Sequence, residues 1–227
     1  MSALGTPHLH LRATSSTSDR ARALAQAGAP HGTLVTAAEQ SAGRGRQGRS
    51  WSAPAGSSLL MSVVLHDPPD LLPLAAGIAV ARGCGEAARI KWPNDVLLDD
   101  RKVAGILAEG RPQEGWAVLG IGVNVALDVG ELPPELHATA ATLGLTAADV
   151  PRVRDRLLRE LETTLALDEA TLLATYRELD GLRGRAIHWS TGSGVAAGID
   201  GSGRLIVELD GGGRTELEAG EVHLLRG

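Results

Sequence analysis

Residues 43–51 read Gly-Arg-Gly-Arg-Gln-Gly-Arg-Ser-Trp: three arginines two or three residues apart, interleaved with glycines and closed by a tryptophan. The guanidinium groups of Arg44, Arg46 and Arg49 are planar, permanently charged forks that match phosphate and carboxylate oxygens, and glycine lets a backbone approach such anions closely. Trp51 adds a flat plate for stacking. The run follows neither a two-residue nor a 3.6-residue period, which predicts an anion-binding loop, mobile without ligand. The competing reading is a disordered, RNA-binding arginine–glycine tail. Such tails sit at termini and repeat, whereas this run occurs once, between apolar segments, in a chain of net charge −5 and pI near 5.8.

A second chemical signal lies in what the composition lacks. Of 22 cations only two are lysines, Lys91 and Lys102, and Asn94 and Asn124 are the only asparagines. Arginine, alanine and glycine dominate elsewhere, so the lysines and asparagines that persist point to positions where replacement fails. All four fall in one third of the chain. Lys102 has two open readings: a compact ammonium held rigidly for catalysis, or an exposed hairpin lysine paired with Asp99 or Asp100.

Other chemistries find little support. The single cysteine, Cys84, permits no intramolecular disulfide or cysteine-cluster metal site and is expected in the core of a cytoplasmic protein. The seven histidines form no H-x-x-x-H or H-x-E pair, and neither a Walker A loop, a strand-coupled G-x-G-x-x-G nor a nucleophile elbow is present. No apolar run reaches the length of a membrane span, and no signal-peptide pattern opens the chain. The residues before Thr14 are too few for a helix-turn-helix module, so no operator DNA is expected as a partner.

These residues must be held by a scaffold that 227 residues, 43% of them hydrophobic, can supply as one core with a small second module. Residues 15–18 are a cluster of N-cap types ahead of a short helix that Gly28 and Pro30 end. Residues 33–38 and 57–65 are β-compatible strands joined by the arginine loop. Residues 71–88 predict a helix with Pro73 in its first turn. Ile90 to Asp95 reads as a strand end and proline-fixed turn, and residues 96–98 and 103–107 form a hairpin with Lys102 opening the return strand. Residues 116–125 form another strand whose Gly120 and Gly122 mean either a bulge or a close approach by a ligand or another backbone. Residues 149–165 and 168–179 are amphipathic helices expected to cover one sheet face. From residue 184 the texture changes to short apolar runs at 186–189, 195–199, 204–209, 215–217 and 222–225, separated by glycine-rich turns, as in a small β-barrel.

Taken together, Ser16-Thr17-Ser18, Gln40, the arginine loop, Lys91-Trp92-Pro93-Asn94-Asp95-Val96, the Lys102 hairpin running to Glu109, and Gly120-Ile121-Gly122-Val123-Asn124 resemble the biotin protein ligases in order and spacing. A C-terminal Gly220-Glu221-Val222 followed by an apolar pair and Arg226 extends the resemblance over nearly the whole chain. It implies an α/β (α+β) fold: a mixed-sheet, class II synthetase-like catalytic domain over residues 1–183 and an SH3-like β-barrel over 184–227. It also implies ATP-dependent activation of biotin to biotinyl-5′-AMP, with Mg²⁺, and transfer to a lysine of a biotin carboxyl carrier domain. The form implied is the short one, without a DNA-binding domain, and a homodimer is compatible with it. By motif correspondence Lys102 and Arg46 are catalytic. Ser16, Thr17, Ser18, Gln40, Arg44, Gly45, Arg46, Lys102 and Gly122 serve biotin, and Arg46, Arg49, Trp51, Asn94, Lys102 and Asn124 serve the nucleotide.

Two residues depart from the family pattern: Ser18 stands where asparagine is frequent, and Gln47 where a further arginine can occur. The residue chemistry agrees independently, because joining a carboxylate to the α-phosphate of ATP brings two anions together and needs several cations to position and neutralise them. No Asp/Glu pair has obvious metal-ligand spacing, consistent with Mg²⁺ held by phosphates and water. A lipoate or octanoate ligase is one alternative, although the arginine-triglycine run leading to His-Asp of that family is not seen. A non-catalytic small-molecule sensor is the other.

Overall fold

The structure, a computed structural model, describes residues 4–111, 114–218 and 222–224. Its strands are β1 (His8–Leu11), β2 (Leu34–Ala37), β3 (Gly43–Arg44), β4 (Ser50–Trp51), β5 (Ser58–His66), β6 (Arg89–Lys91), β7 (Asp95–Leu98), β8 (Arg101–Arg111), β9 (Trp116–Asn124), β10 (Ala186–Trp189), β11 (Gly192–Ile199), β12 (Leu205–Leu209), β13 (Arg214–Leu217) and β14 (His223–Leu224). The helices are α1 (Thr17–Gln26), α2 (Leu72–Cys84), α3 (Val150–Leu165) and α4 (Glu169–Leu179). A seven-stranded sheet runs β1-β2-β5-β9-β8-β7-β6, with β1 parallel to β2 and every other pair antiparallel. It is the mixed sheet that the resemblance implies.

The central strand β5 is apolar along almost its whole length because both its faces are covered. On one face Leu59, Met61, Val63 and Leu65 join Ala117, Leu119, Ile121 and Val123 of β9 in the core that α2 and α3 cover, α3 lying against β5 and α2 against β6 to β8. Each of the Leu, Met, Ile and Val side chains taken fully from water contributes about 1.5–3 kcal/mol. On the other face Val64, Val35, Trp116 and Val118 are capped by Ala21 and Ala25 of α1. That helix is short, so the rest of this face, over Gly120 and Gly122, stays open for a site.

Most predicted elements fall within a residue or two of their expected places, and the departures have local causes. The helix expected to reach residue 88 stops at Cys84, because Gly85 adopts φ 123°. The two later amphipathic helices do cover one sheet face, but not side by side: both pack on α2 between them, with α3 reaching β5 and α4 reaching β6. The arginine loop is not free of regular structure. β3 and β4 pair antiparallel around a 3₁₀ turn at Arg46–Gly48, closed by left-handed backbone at Gln47 (φ 55°) and Gly48 (φ 76°). β1, with its alternating His8, Leu9, His10 and Leu11, was not anticipated from the sequence.

The C-terminal segment forms an antiparallel five-stranded sheet, β13-β12-β11-β10-β14. Among the described residues no ladder joins β13 to β14, so closure of this sheet into a barrel is not seen there. Gly220, Glu221 and Arg226, part of the expected C-terminal signature, lie outside the described residues. This sheet shares one core with the first, since Ile187, Ala196, Leu205 and Val207 join the cluster beneath α2. The Trp92 indole donates to the Gly203 carbonyl at 3.0 Å, and Arg185 pairs with Asp100, fastening the two sheets polar group to polar group.

Candidate active site

On the open face of the large sheet lies a cavity of about 490 Å³. Of the residues singled out from the sequence, all except Ser16 line it, and the four rare ones, Lys91, Lys102, Asn94 and Asn124, meet there. Ser16 is the N-cap of α1, where its hydroxyl accepts from the Asp19 N–H at 3.4 Å. Asn124 is also a structural residue, donating to the Ala141 carbonyl at 2.9 Å.

The floor is built by glycines. Ladders run in unbroken register through Gly120 and Gly122, which rules out a bulge. A Cβ at Gly122 would stand 2.6 Å from Cε2 of Trp51, and one at Gly120 would stand 2.7 Å from Ser18 Oγ. Gly105 on β8 meets the same indole, at 2.9 Å from Cζ3. The glycines thus allow side chains from the arginine hairpin and α1 to lie directly on the sheet. The buried Trp51 Nε1 has no hydrogen-bond partner, and an acceptor at that edge would relieve a penalty of roughly 1–3 kcal/mol. At the inner end, Thr17, Ser18, Ser62 and Gln40 form a chain of hydrogen bonds between 2.7 and 3.1 Å.

The hairpin's base is clamped by charge. Arg44 and Arg22 each bridge Asp19 on α1 and Glu109 on β8, so the two arginines and two carboxylates form a closed square. Burial alone would raise the Asp19 carboxyl, but the hydrogen bonds and charges of Arg44 and Arg22 hold it below its ordinary range. The Arg44 guanidinium is in turn stabilised in its charged form by Asp19. The Arg44 side chain therefore ties the hairpin to the elements carrying Ser18 and Lys102. Farther along, Arg46 donates to Asn94 Oδ1 at 3.2 Å, crossing from hairpin to proline turn.

Asp95 gathers both lysines of the chain. Lys102 Nζ lies 2.7 Å from Asp95 Oδ1 and Lys91 Nζ 3.9 Å from Oδ2. Asp95 Oδ1 is buried and its short contact is misaligned for a hydrogen bond, so charge rather than direction holds the pair. Neither Asp99 nor Asp100 is the partner that the surface reading of Lys102 requires. Lys102 Nζ also stands 5.5 Å from the centroid of Trp51. Its backbone is fixed by the bonds Lys102 N–H to Thr139 O (2.6 Å) and Ala141 N–H to Lys102 O (2.8 Å).

Sequence reasoning missed Ser62, Asp19, Arg22 and Asp95 as site-builders. Only Asp95, inside the proline-turn motif, carried a local signal. Among the described residues no three His, Cys, Asp or Glu side chains converge as a metal cage. Chemically, the cavity offers cations from β6, β8 and the arginine hairpin, an aromatic plate, and a hydroxyl-rich inner end. That combination suits a polar-tailed carboxylic acid beside a phosphate.

The sequence profile of the biotin/lipoate A/B protein ligase family matches residues 11–126. The biotin–[acetyl-CoA-carboxylase] ligase of Mycobacterium tuberculosis is 37% identical over 217 residues, covering 86% of this chain and 80% of its own length. The enzyme of that name from Paracoccus denitrificans is 37% identical over 238 residues, covering 93% and 98%. The structure of the Aquifex aeolicus biotin protein ligase in complex with biotin and ATP superposes with a TM-score of 0.81 at 26% identity, covering 98% of this chain and all of that one.

Proposed function

The chain belongs to the biotin/lipoate A/B protein ligase family, and from that premise we propose that it activates biotin with ATP and transfers it to a lysine of a biotin carboxyl carrier protein. In the first step a biotin carboxylate oxygen attacks the α-phosphorus, the bond to the bridging oxygen breaks, and pyrophosphate leaves with its electron pair. In the second, a neutral lysine amine attacks the acyl carbon of biotinyl-5′-AMP, AMP departs, and the amine gives up a proton as the amide forms.

The observation that carries this reading is the convergence of Lys102, Lys91, Arg46 and Arg49 on one cavity that also has an uncharged, hydrogen-bonding inner end. Two anions that must touch need positive charge placed before they arrive. Lys102 sits between the reacting oxygen and the α-phosphate, and Arg46 and Arg49 hold the phosphates. Trp51, Asn94 and Asn124 face the nucleoside. Thr17, Ser18 and Gln40 hold the polar ring, with Gly122 in the floor beneath it, the Gly45 backbone over it and the Arg44 clamp fixing the hairpin. Mg²⁺, when present, would neutralise phosphate charge and enter on the triphosphate, since the chain's own carboxylates here are engaged by lysines and arginines. The C-terminal sheet belongs to an SH3-like unit that helps present the carrier. Val222 and Leu224 on the cavity rim support that placement.

The test is isotope exchange between pyrophosphate and ATP with biotin, lipoate or octanoate supplied singly. Exchange that depends on biotin is expected. Exchange driven only by lipoate or octanoate would refute the assignment.

A further inference from the structure

The hydroxyl chain at the inner end of the cavity has a direction that follows donor by donor. The Thr17 backbone N–H points at one atom of the Gln40 amide from 2.7 Å, so that atom is the oxygen, Oε1. The Thr17 hydroxyl, 3.0 Å from the same oxygen, must donate to it. With its proton committed, Thr17 Oγ1 accepts from Ser62 Oγ at 2.9 Å. The Ser62 proton is then committed too, so the 3.1 Å contact between Ser18 and Ser62 is donated by Ser18. Every proton runs toward Gln40, and the chain ends at Ser18 Oγ with only lone pairs to offer.

Ser62 is fully buried on β5, behind the cavity wall, and Ser18 is nearly as buried on it. Reversing the chain would aim two donors at each other somewhere along it, or leave Gln40 Oε1 without the Thr17 hydroxyl. We propose that Ser62 is a positioning residue that sets this proton order, so that the inner end accepts hydrogen bonds and selects an acid whose far end carries N–H donors. A cyclic urea fits, whereas the dithiolane of lipoate or the methyl end of octanoate leaves Ser18 Oγ without a donor. This inference rests on the biotin reading and names the feature that separates the family's substrates within this chain. Sites that hydrogen-bond a substrate group reject analogues lacking it far more strongly than apolar pockets reject a missing methylene.

The experiment pairs Ser62→Ala with biotin and its two carbamate analogues, in which one or the other ureido N–H is replaced by oxygen at nearly constant shape. Dissociation constants come from calorimetry, and KM and kcat from pyrophosphate exchange. In the unaltered protein at least one analogue should bind about a hundredfold more weakly than biotin. In Ser62→Ala the Ser18 proton is released toward the cavity. The analogue penalty should fall below about tenfold, while the KM for biotin rises about tenfold and kcat stays within about twofold. Ser62→Cys, whose sulfur is a weak acceptor for the Ser18 proton and a weak donor to Thr17, should behave alike and covers the case in which the alanine variant folds badly. An analogue penalty unchanged in both variants would overturn the role of Ser62 while leaving biotin as substrate. An unaltered protein that exchanges with lipoate but not biotin would instead overturn the reading beneath it.

Discussion

Replacing Lys102 by arginine should abolish chemistry while leaving the fold nearly untouched, and the two effects can be sized separately. Positive charge is conserved, and a guanidinium can still reach Asp95, the present partner at 2.7 Å. The Lys102 side chain is about one third exposed, so the change in this ion pair is worth ~0–1 kcal/mol in stability. The reaction is less tolerant. The ammonium occupies a slot between Asp95, the Trp51 ring 5.5 Å away, and the backbone of Gly105, whose Cβ, if present, would be 3.3 Å from Nζ. A planar guanidinium is wider than this slot and cannot place one compact charge between a carboxylate and a phosphate. Losing one such transition-state contact costs on the order of 3 kcal/mol, a hundredfold or more in rate. Biotin-dependent pyrophosphate exchange measures the loss, with thermal melting as the control. Exchange within about threefold of wild type, in a variant that melts normally, would refute the assignment and move it to Lys91 or the arginine hairpin.

Gly122→Ala should drive the Trp51 ring off the sheet, since the new methyl would lie 2.6 Å from Cε2 in a strand whose register cannot shift. The strain is worth ~1–3 kcal/mol in melting, with a larger loss of biotin binding by calorimetry. The Asp180 carboxyl is pushed above its ordinary 3.8 by burial, with Oδ2 lacking a partner near the buried Tyr176 hydroxyl. A raised native pKa means that stability present below pH 3.8 is lost as pH rises through the raised value, so Asp180→Asn should raise the melting temperature at pH 7–8 and not near pH 3. The arginine hairpin has only two rungs, so its amides should exchange with solvent quickly without ligand and slowly with biotin and ATP; equal protection in both states would refute closure over the adenylate. Arg46→Gly should then release the adenylate early and label bystander lysines, which mass spectrometry of a mixed-protein reaction would show.

Legibility in the sequence followed how local each signal is. The arginine run and the proline turn announce their chemistry within a few residues, and the scarcity of lysine and asparagine singled out four positions that meet in one cavity. The long strands and helices carried their own periodicity. Ser62 was hidden because a serine in an apolar strand looks like any small residue until Thr17 and Ser18 are folded over it. The Asp19–Arg22–Arg44–Glu109 square joins residues up to 87 positions apart, and no spacing rule links them. β1 is only four residues long and is paired on one side, too short for its alternation to stand out. The stacking of α3 and α4 on α2 depends on which apolar face meets which, and that information is global.

The central claim is tested most directly by incubating the protein with ATP, a biotin carboxyl carrier domain, and biotin and lipoate together, then locating the added mass by peptide sequencing. The account predicts a biotinyl group on a single carrier lysine, formed only when ATP is present and lost with Lys102→Arg. A lipoyl adduct, or no adduct despite tight biotin binding, would contradict it.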